Sequence, residues 1–125
     1  MKLLLDTQLF LWSLKEVTRV PPRATTLMQA AQTVYVSAAS IWEITIKIGA
    51  GKLDGDPVRI ADMIAASNFQ ELAVSARHGI GVRALPFHHK DPFDRLLVAQ
   101  AIAEGLQLLT TDELLGLYSD QVIVV

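Results

Sequence analysis

Four short stretches of this chain are largely apolar or β-branched with no regular polar alternation: Leu3-Leu4-Leu5, Thr33-Val34-Tyr35-Val36, Leu106 to Leu109 and Val122 to Val125. A strand that faces water on one side alternates apolar with polar residues, whereas one covered on both faces does not. The segments between these runs carry helical signals. Gln8 to Leu14 is mostly apolar, and Pro21-Pro22 suits the start of a helix reaching Ala31. Ser37 to Ile48 places Ile41, Ile44 and Ile48 on one face and stops at Gly49 and Gly51. Val58 to Ser67, Ser75 to Val82 and Asp112 to Leu117 read as further helices, and Glu71 to Val74 as a short strand. Asp91 to Glu104 has the clearest signature, with an Asp cap, Pro92 in the first turn and Gly105 just past the end. Strands alternating with helices predict an α/β fold. The expected architecture is a three-layer α/β/α sandwich around a central, mainly parallel sheet of four to five strands.

At 125 residues the chain is expected to form a single domain spanning 1–125. It is 51% hydrophobic and 19% charged, which excludes a disordered chain. The absence of cysteine excludes disulfide scaffolds, thiolate zinc sites and cysteine nucleophiles. A formal charge of −2 provides no global basic field, so any contact with nucleic acid depends on a local patch. The apolar run in Met1-Lys2-Leu3-Leu4-Leu5-Asp6 is too short for a signal-peptide core, and no stretch approaches the ~20 apolar residues of a membrane span. A cytoplasmic protein without membrane contact is therefore expected.

Four carboxylates stand where such a sheet would gather them. Asp6 directly follows the first strand, and Glu43 lies in the early turns of the helix after the second. Asp94 is in the first turn of the long helix, and Asp112 follows the Leu106–Leu109 strand by three residues. In an open parallel sheet the C-terminal strand ends and the helix N-termini share one edge, where ligands bind. Each acid also has a structural explanation. Glu43 closes a Ser40-x-x-Glu43 capping box and can pair with Lys47 one turn on, Asp94 follows Asp91 at cap-like spacing, and Asp112 can favour a helix dipole. Asp6 is harder to explain in this way, since no Lys or Arg lies between Lys2 and Lys15 to pair with it. Several carboxylates held together repel, and a hard divalent cation such as Mg²⁺ or Mn²⁺ relieves that strain. The chemistry that such a set supports best is phosphodiester hydrolysis.

Other motifs carry less. Gly49-Ala50-Gly51-Lys52 lacks the spacing of a phosphate-binding loop, and there is no G-x-S-x-G elbow. His88-His89 read as ordinary loop residues, and Trp12 and Trp42 as core residues rather than platforms for stacked bases.

The residues around the acids resemble those of a known family. Leu3-Leu4-Leu5-Asp6-Thr7 resembles the opening of PIN-domain ribonucleases, and Ser40-Ile41-Trp42-Glu43-Ile44 their second acidic motif. His89-Lys90-Asp91-Pro92-Phe93-Asp94-Arg95, continuing to Ala99-Gln100-Ala101, is similar to a stretch typical of one subgroup of VapC-type toxins. Leu108-Leu109-Thr110-Thr111-Asp112 matches the fourth motif. The resemblance covers the whole chain. It implies a PIN-like fold and a catalytic metal site of Asp6, Glu43, Asp94 and Asp112 holding Mg²⁺ or Mn²⁺. The implied reaction is hydrolysis of single-stranded RNA, often tRNA or rRNA, to 5′-phosphate and 3′-hydroxyl products. Asp91 is expected to be the helix cap or a supporting partner of the acids. Thr7 and Thr111 are expected to bond the acids or the phosphate, and Arg95 and Lys47 to meet an RNA phosphate, with Lys52 and Lys90 as weaker candidates. A small VapB-like antitoxin and a homodimer are the implied assemblies. The alternatives are a stand-alone PIN ribonuclease in RNA processing and a non-catalytic binding module. A small-molecule phosphohydrolase using Asp6 as nucleophile is disfavoured, because Gln8 stands where a second Asp is wanted.

Overall fold

The first strand lies at the centre of the sheet. In the computed structural model, which describes residues 1–125, β1 (Lys2–Leu5) pairs with β2 (Thr33–Ser37) on one side and β4 (Gln107–Thr110) on the other. β3 (Gln70–Leu72) extends the sheet beyond β2, and β5 (Val122–Val124) extends it beyond β4. The order is β3-β2-β1-β4-β5, and all four pairings are parallel. The helices are α1 (Thr7–Lys15), α2 (Pro22–Ala30), α3 (Ala38–Gly49), α4 (Pro57–Ala66), α5 (Ala76–Gly81) and α6 (Pro92–Glu104). No helix is long and apolar enough to cross a membrane.

The two faces of β1 show why it carries no polar residue after Lys2. Leu3 and Leu5 join Val34, Val36 and Leu109 in one core with Leu9 and Phe10 of α1, Ala24 of α2, Ile44 of α3 and Ile60 and Ile64 of α4. Leu4 points the other way, into a second core with Leu108, Leu115 and with Leu97, Val98 and Ala101 of α6. All three leucines of β1 are fully buried, so period-2 alternation is present in direction but not in polarity. This is the expected three-layer α/β/α sandwich with five strands.

Several boundaries differ from the sequence reading. The third strand is Gln70–Leu72, displaced one to two residues toward the N-terminus at an exposed edge. The last helical segment, Glu113–Leu117, is a 3₁₀ turn capped by Asp112, and two more 3₁₀ turns, Val17–Arg19 and Val82–Ala84, carry no signal read from the sequence. The cap of α3 is Ser37, whose hydroxyl accepts from Ala39 N–H at 3.0 Å. Ser40 is therefore inside the helix, and the expected Ser40–Glu43 capping box does not form.

The stop of α6 is as expected. Gly105 takes a left-handed conformation at φ +66°, and a Cβ placed there meets nothing within 4 Å. Gly105→Ala is thus expected to cost only the backbone penalty, ~1 kcal/mol. That would appear as a lower urea midpoint at unchanged m-value.

Candidate active site

The strand order reverses at β1. From there the chain moves out through β2 to β3, then returns to add β4 and β5 on the other side. Connections leave the β1 and β4 ends in opposite directions, opening a crevice at their C-terminal edge. Asp6 is the residue after β1, and Thr111 and Asp112 follow β4. A cleft of about 230 Å³ at this edge is lined by Asp6, Glu43, Asp91, Asp94 and Asp112, with Thr7, Gln8, Leu11, Lys47 and Thr111. The four acids singled out from the sequence therefore meet, and Asp91, Thr7, Thr111 and Lys47 stand with them.

Asp6 is nearly inaccessible and is held by neutral donors instead of a cation. Its Oδ1 accepts from Leu9 N–H at 2.7 Å, which makes it the cap of α1, and its Oδ2 accepts from the Thr110 hydroxyl at 2.7 Å. Thr111 contributes a backbone N–H to the same carboxylate. Burial nevertheless pushes the Asp6 carboxyl above its ordinary value; the Thr110, Leu9 and Thr111 donors act against this, and the charge of Glu43 adds to it. Glu43 is equally buried. Its Oε1 accepts from the Thr7 hydroxyl at 2.7 Å, and Thr7 lies 2.9 Å from the Ser40 hydroxyl. Its Oε2 meets Lys47 Nζ at 2.8 Å, the pairing expected from i,i+4 spacing. That contact holds the Lys47 ammonium above its usual range.

Asp91 caps α6, its Oδ1 accepting from Phe93 N–H at 2.8 Å and Asp94 N–H at 3.2 Å. The cap leaves Asp94, one turn in, facing the cleft. Its carboxyl is pushed up to about 7, first by burial and then by the charges of Asp91, Asp6 and Glu43, with His89 acting in the opposite sense. Asp112 Oδ1 accepts from Leu114 N–H at 3.0 Å. Five carboxylates thus share one cleft with a single lysine among its lining residues. The donor set is rich in carboxylate oxygen, and its charge is costly without a counter-ion. Both properties fit a hard divalent cation.

Three sequence expectations need correction. His89 is not an ordinary loop residue: its Nε2 lies 2.8 Å from Asp112 Oδ2 and 3.6 Å from Asp94 Oδ2. His89, Asp94 and Asp112 each present a ligand-type atom within 4.8 Å of the others. No spacing rule reveals this, because the histidine arrives from the loop before α6. Trp42 is not a core residue but 62% exposed, edge to face with Phe93 at 5.3 Å beside the acids. Trp12, in contrast, packs against the core as expected, with Arg19 over its ring.

Arg95, expected to reach a phosphate, is turned away and 9% exposed. Its Nη1 donates to Pro86 O at 2.9 Å and the Tyr118 hydroxyl at 3.0 Å, and its Nη2 to Val82 O at 3.3 Å and Leu85 O at 3.5 Å. Its one-residue offset from Asp94 puts it on a different face of α6. Thr110 was also missed. A threonine ending a buried strand reads as ordinary β-propensity, and only the pairing Leu5↔Leu109 places its hydroxyl beside Asp6.

Comparison with solved structures finds the same architecture in several proteins. The toxin–antitoxin complex VapBC2 of Rickettsia felis, described as bound to a DNA fragment of its promoter, contains a chain that aligns at TM-score 0.72 and 17% identity. The alignment covers 100% of this chain and 98% of that one. A toxin–antitoxin complex from Klebsiella pneumoniae aligns at TM-score 0.65 and 18% identity, covering 97% and 95% of the two chains. VapC20 of Mycobacterium tuberculosis, described as a toxin that cleaves the sarcin–ricin loop, aligns at 0.60 and 15%, covering 94% and 97%. Identities this low establish a shared fold. No curated protein matches the sequence. The family profile described as the PIN domain matches residues 3–118, nearly the whole chain, and the protein belongs to the PIN domain family.

Proposed function

We propose that the protein is a divalent-metal-dependent endoribonuclease that cleaves single-stranded regions of RNA and acts as the toxin of a toxin–antitoxin pair. The observation that carries this reading is the convergence of Asp6, Glu43, Asp94 and Asp112 on one open cleft at the sheet's switch point. The fold shared with chains of two toxin–antitoxin complexes and with one toxin described as cleaving the sarcin–ricin loop supports it.

These four acids are the residues that would hold Mg²⁺ or Mn²⁺. When bound, such an ion lowers the pKa of water and stabilises charge on a phosphodiester. The chain's own residues supply the rest. Thr110 and the Leu9 N–H fix both oxygens of Asp6, and Thr7 with Lys47 fix those of Glu43. Neither carboxylate can swing away, which is the preorganisation that a charged reaction centre requires. Asp94 is less constrained, with only His89 Nε2 standing 3.6 Å from its Oδ2, so its carboxylate is the one free to adjust to a bound ion. Lys47, the other residue expected to meet a phosphate, stands half-exposed at the rim beside its bond to Glu43 and keeps that role. Lys52, beside Phe93 and Lys47 in an adjoining hollow, extends that positive edge. A small antitoxin and a second copy of the chain are the proposed partners, and the cytoplasm the proposed compartment.

The direct test is cleavage of a mixed-sequence single-stranded RNA by partner-free protein. Cleavage is expected with Mg²⁺ or Mn²⁺ and not with excess EDTA, and it should return when metal is restored. Equal cutting in EDTA would overturn the metal-dependent reading.

A further inference from the structure

We infer that His89 is a positioning residue that fixes Asp112 for metal binding by donating a hydrogen bond from Nε2. This rests on the reading of the acids as a cation site. The ring is constrained at both nitrogens. His89 Nδ1 accepts the backbone N–H of Asp91 at 3.0 Å, so its lone pair is in use. A neutral imidazole with an accepting Nδ1 carries its hydrogen on Nε2. Nε2 therefore donates to Asp112 Oδ2 and has no lone pair for a metal ion. To serve as a ligand, His89 would have to change tautomer and give up the Asp91 N–H at the very cap of α6.

The backbone beneath the ring is fixed as well. The N–H groups of His88 and His89 both donate to the Tyr118 hydroxyl oxygen, at 3.1 and 2.9 Å, and Arg95 Nη1 donates to the same oxygen. The buried guanidinium of Arg95 also gathers the carbonyls of Val82, Leu85 and Pro86. The segment carrying His89 is thus tied to α6 on one side and to Tyr118, after the 3₁₀ turn, on the other.

Asp112 completes the series. Leu114 N–H holds its Oδ1 and His89 holds its Oδ2, while its own N–H donates to Thr110 Oγ1 at 3.0 Å. Thr110 in turn donates to Asp6. A continuous chain of hydrogen bonds therefore runs from His89 through Asp112 and Thr110 to Asp6. Residues that orient metal ligands in this way typically contribute ~10–100-fold to metal affinity or activity.

Two substitutions separate the bonds. His89→Asn keeps an acceptor near the Nδ1 position for Asp91 N–H but is too short to reach Asp112. His89→Gln places an amide N–H near the Nε2 position. Mn²⁺ alone is titrated into folded wild type and both variants by calorimetry, with no RNA present. His89→Asn should bind Mn²⁺ at least ~10-fold more weakly, and His89→Gln should recover most of the loss. Spin-echo spectra of the Mn²⁺-loaded wild type should show no coordinated imidazole nitrogen. Wild-type affinity in His89→Asn, or a coordinated nitrogen in the spectra, would overturn the inference. A wild type that binds Mn²⁺ as expected yet cuts no RNA would remove the nuclease reading and leave this one standing.

Discussion

Replacing Asp94 by Asn is expected to inactivate the protein and, in metal-free solution, to stabilise it. The carboxyl is pushed up to about 7 from an ordinary 3.8 by burial and by Asp91, Asp6 and Glu43. Below pH 4 it is protonated in both folded and unfolded chains and contributes nothing to pH dependence. Between pH 4 and pH 7 the folded protein keeps a proton that the unfolded chain has released. Stability therefore falls as pH rises through this window, and the penalty is complete above about pH 7. Asparagine has no charge to bury. In EDTA at pH 8, Asp94→Asn should be more stable than wild type by roughly 2–4 kcal/mol, and the gap should close near pH 4. Mn²⁺ should reverse the order, because wild type gains binding free energy and the variant gains little. RNA cleavage should fall by more than ~100-fold, beyond the range usual for residues that only support a ligand. Denaturant titrations at pH 4 and pH 8, with and without Mn²⁺, check each sign. A variant less stable than wild type in EDTA at pH 8 would show that Asp94 is not held at a repulsive site.

The second large effect concerns stability alone. Arg95→Met should cost roughly 2–4 kcal/mol, because it strands buried carbonyl groups that the guanidinium now satisfies. The cation also stacks over the Phe87 ring at 4.9 Å, and the same change removes that stacking. Arg95→Lys should recover little, since one ammonium cannot span acceptors that a planar fork reaches from two nitrogens. Urea unfolding measures this directly. The salt dependence of RNA binding should stay as in wild type for any folded Arg95 variant, whereas removal of a phosphate-binding cation would flatten its slope. A flattened slope would restore the phosphate role expected from the sequence.

Arg95 also shows where reading the sequence runs out. The fold was legible because its signals are local: an apolar run such as Leu3-Leu4-Leu5 must be covered on both faces, and Asp91, Pro92 and Gly105 delimit α6 whatever surrounds them. The acids were legible because their places at strand ends and helix starts become neighbours in any parallel sheet. Side-chain direction is another matter. Whether Arg95 reaches solvent or the loop at 82–86 depends on which way α6 is rolled. Whether Trp42 is covered depends on what packs against α3, and its sequence neighbours Ile41 and Glu43 are indifferent to that. The acid-to-His89 contact depends on a loop path that no periodicity encodes. Even the capping box failed for this reason: Ser37 and Ser40 are equally good caps, and only the end of β2 decides between them.

The central place of β1 bears on how the protein comes into being. Its partner β2 follows within thirty-odd residues, but its other edge stays unpaired until β4 is made, and Thr110 is 104 positions from the aspartate it steadies. During synthesis the growing chain therefore carries an open apolar edge, the kind of intermediate that chaperones guard. It also carries Asp6, Glu43 and Asp94 without Asp112 until β4 has been made. A fragment that stops before β4 has three of the five strands and an incomplete cleft. The order of strands thus makes Asp112 the last of the four acids to join the others, and only once β4 has been added beside β1.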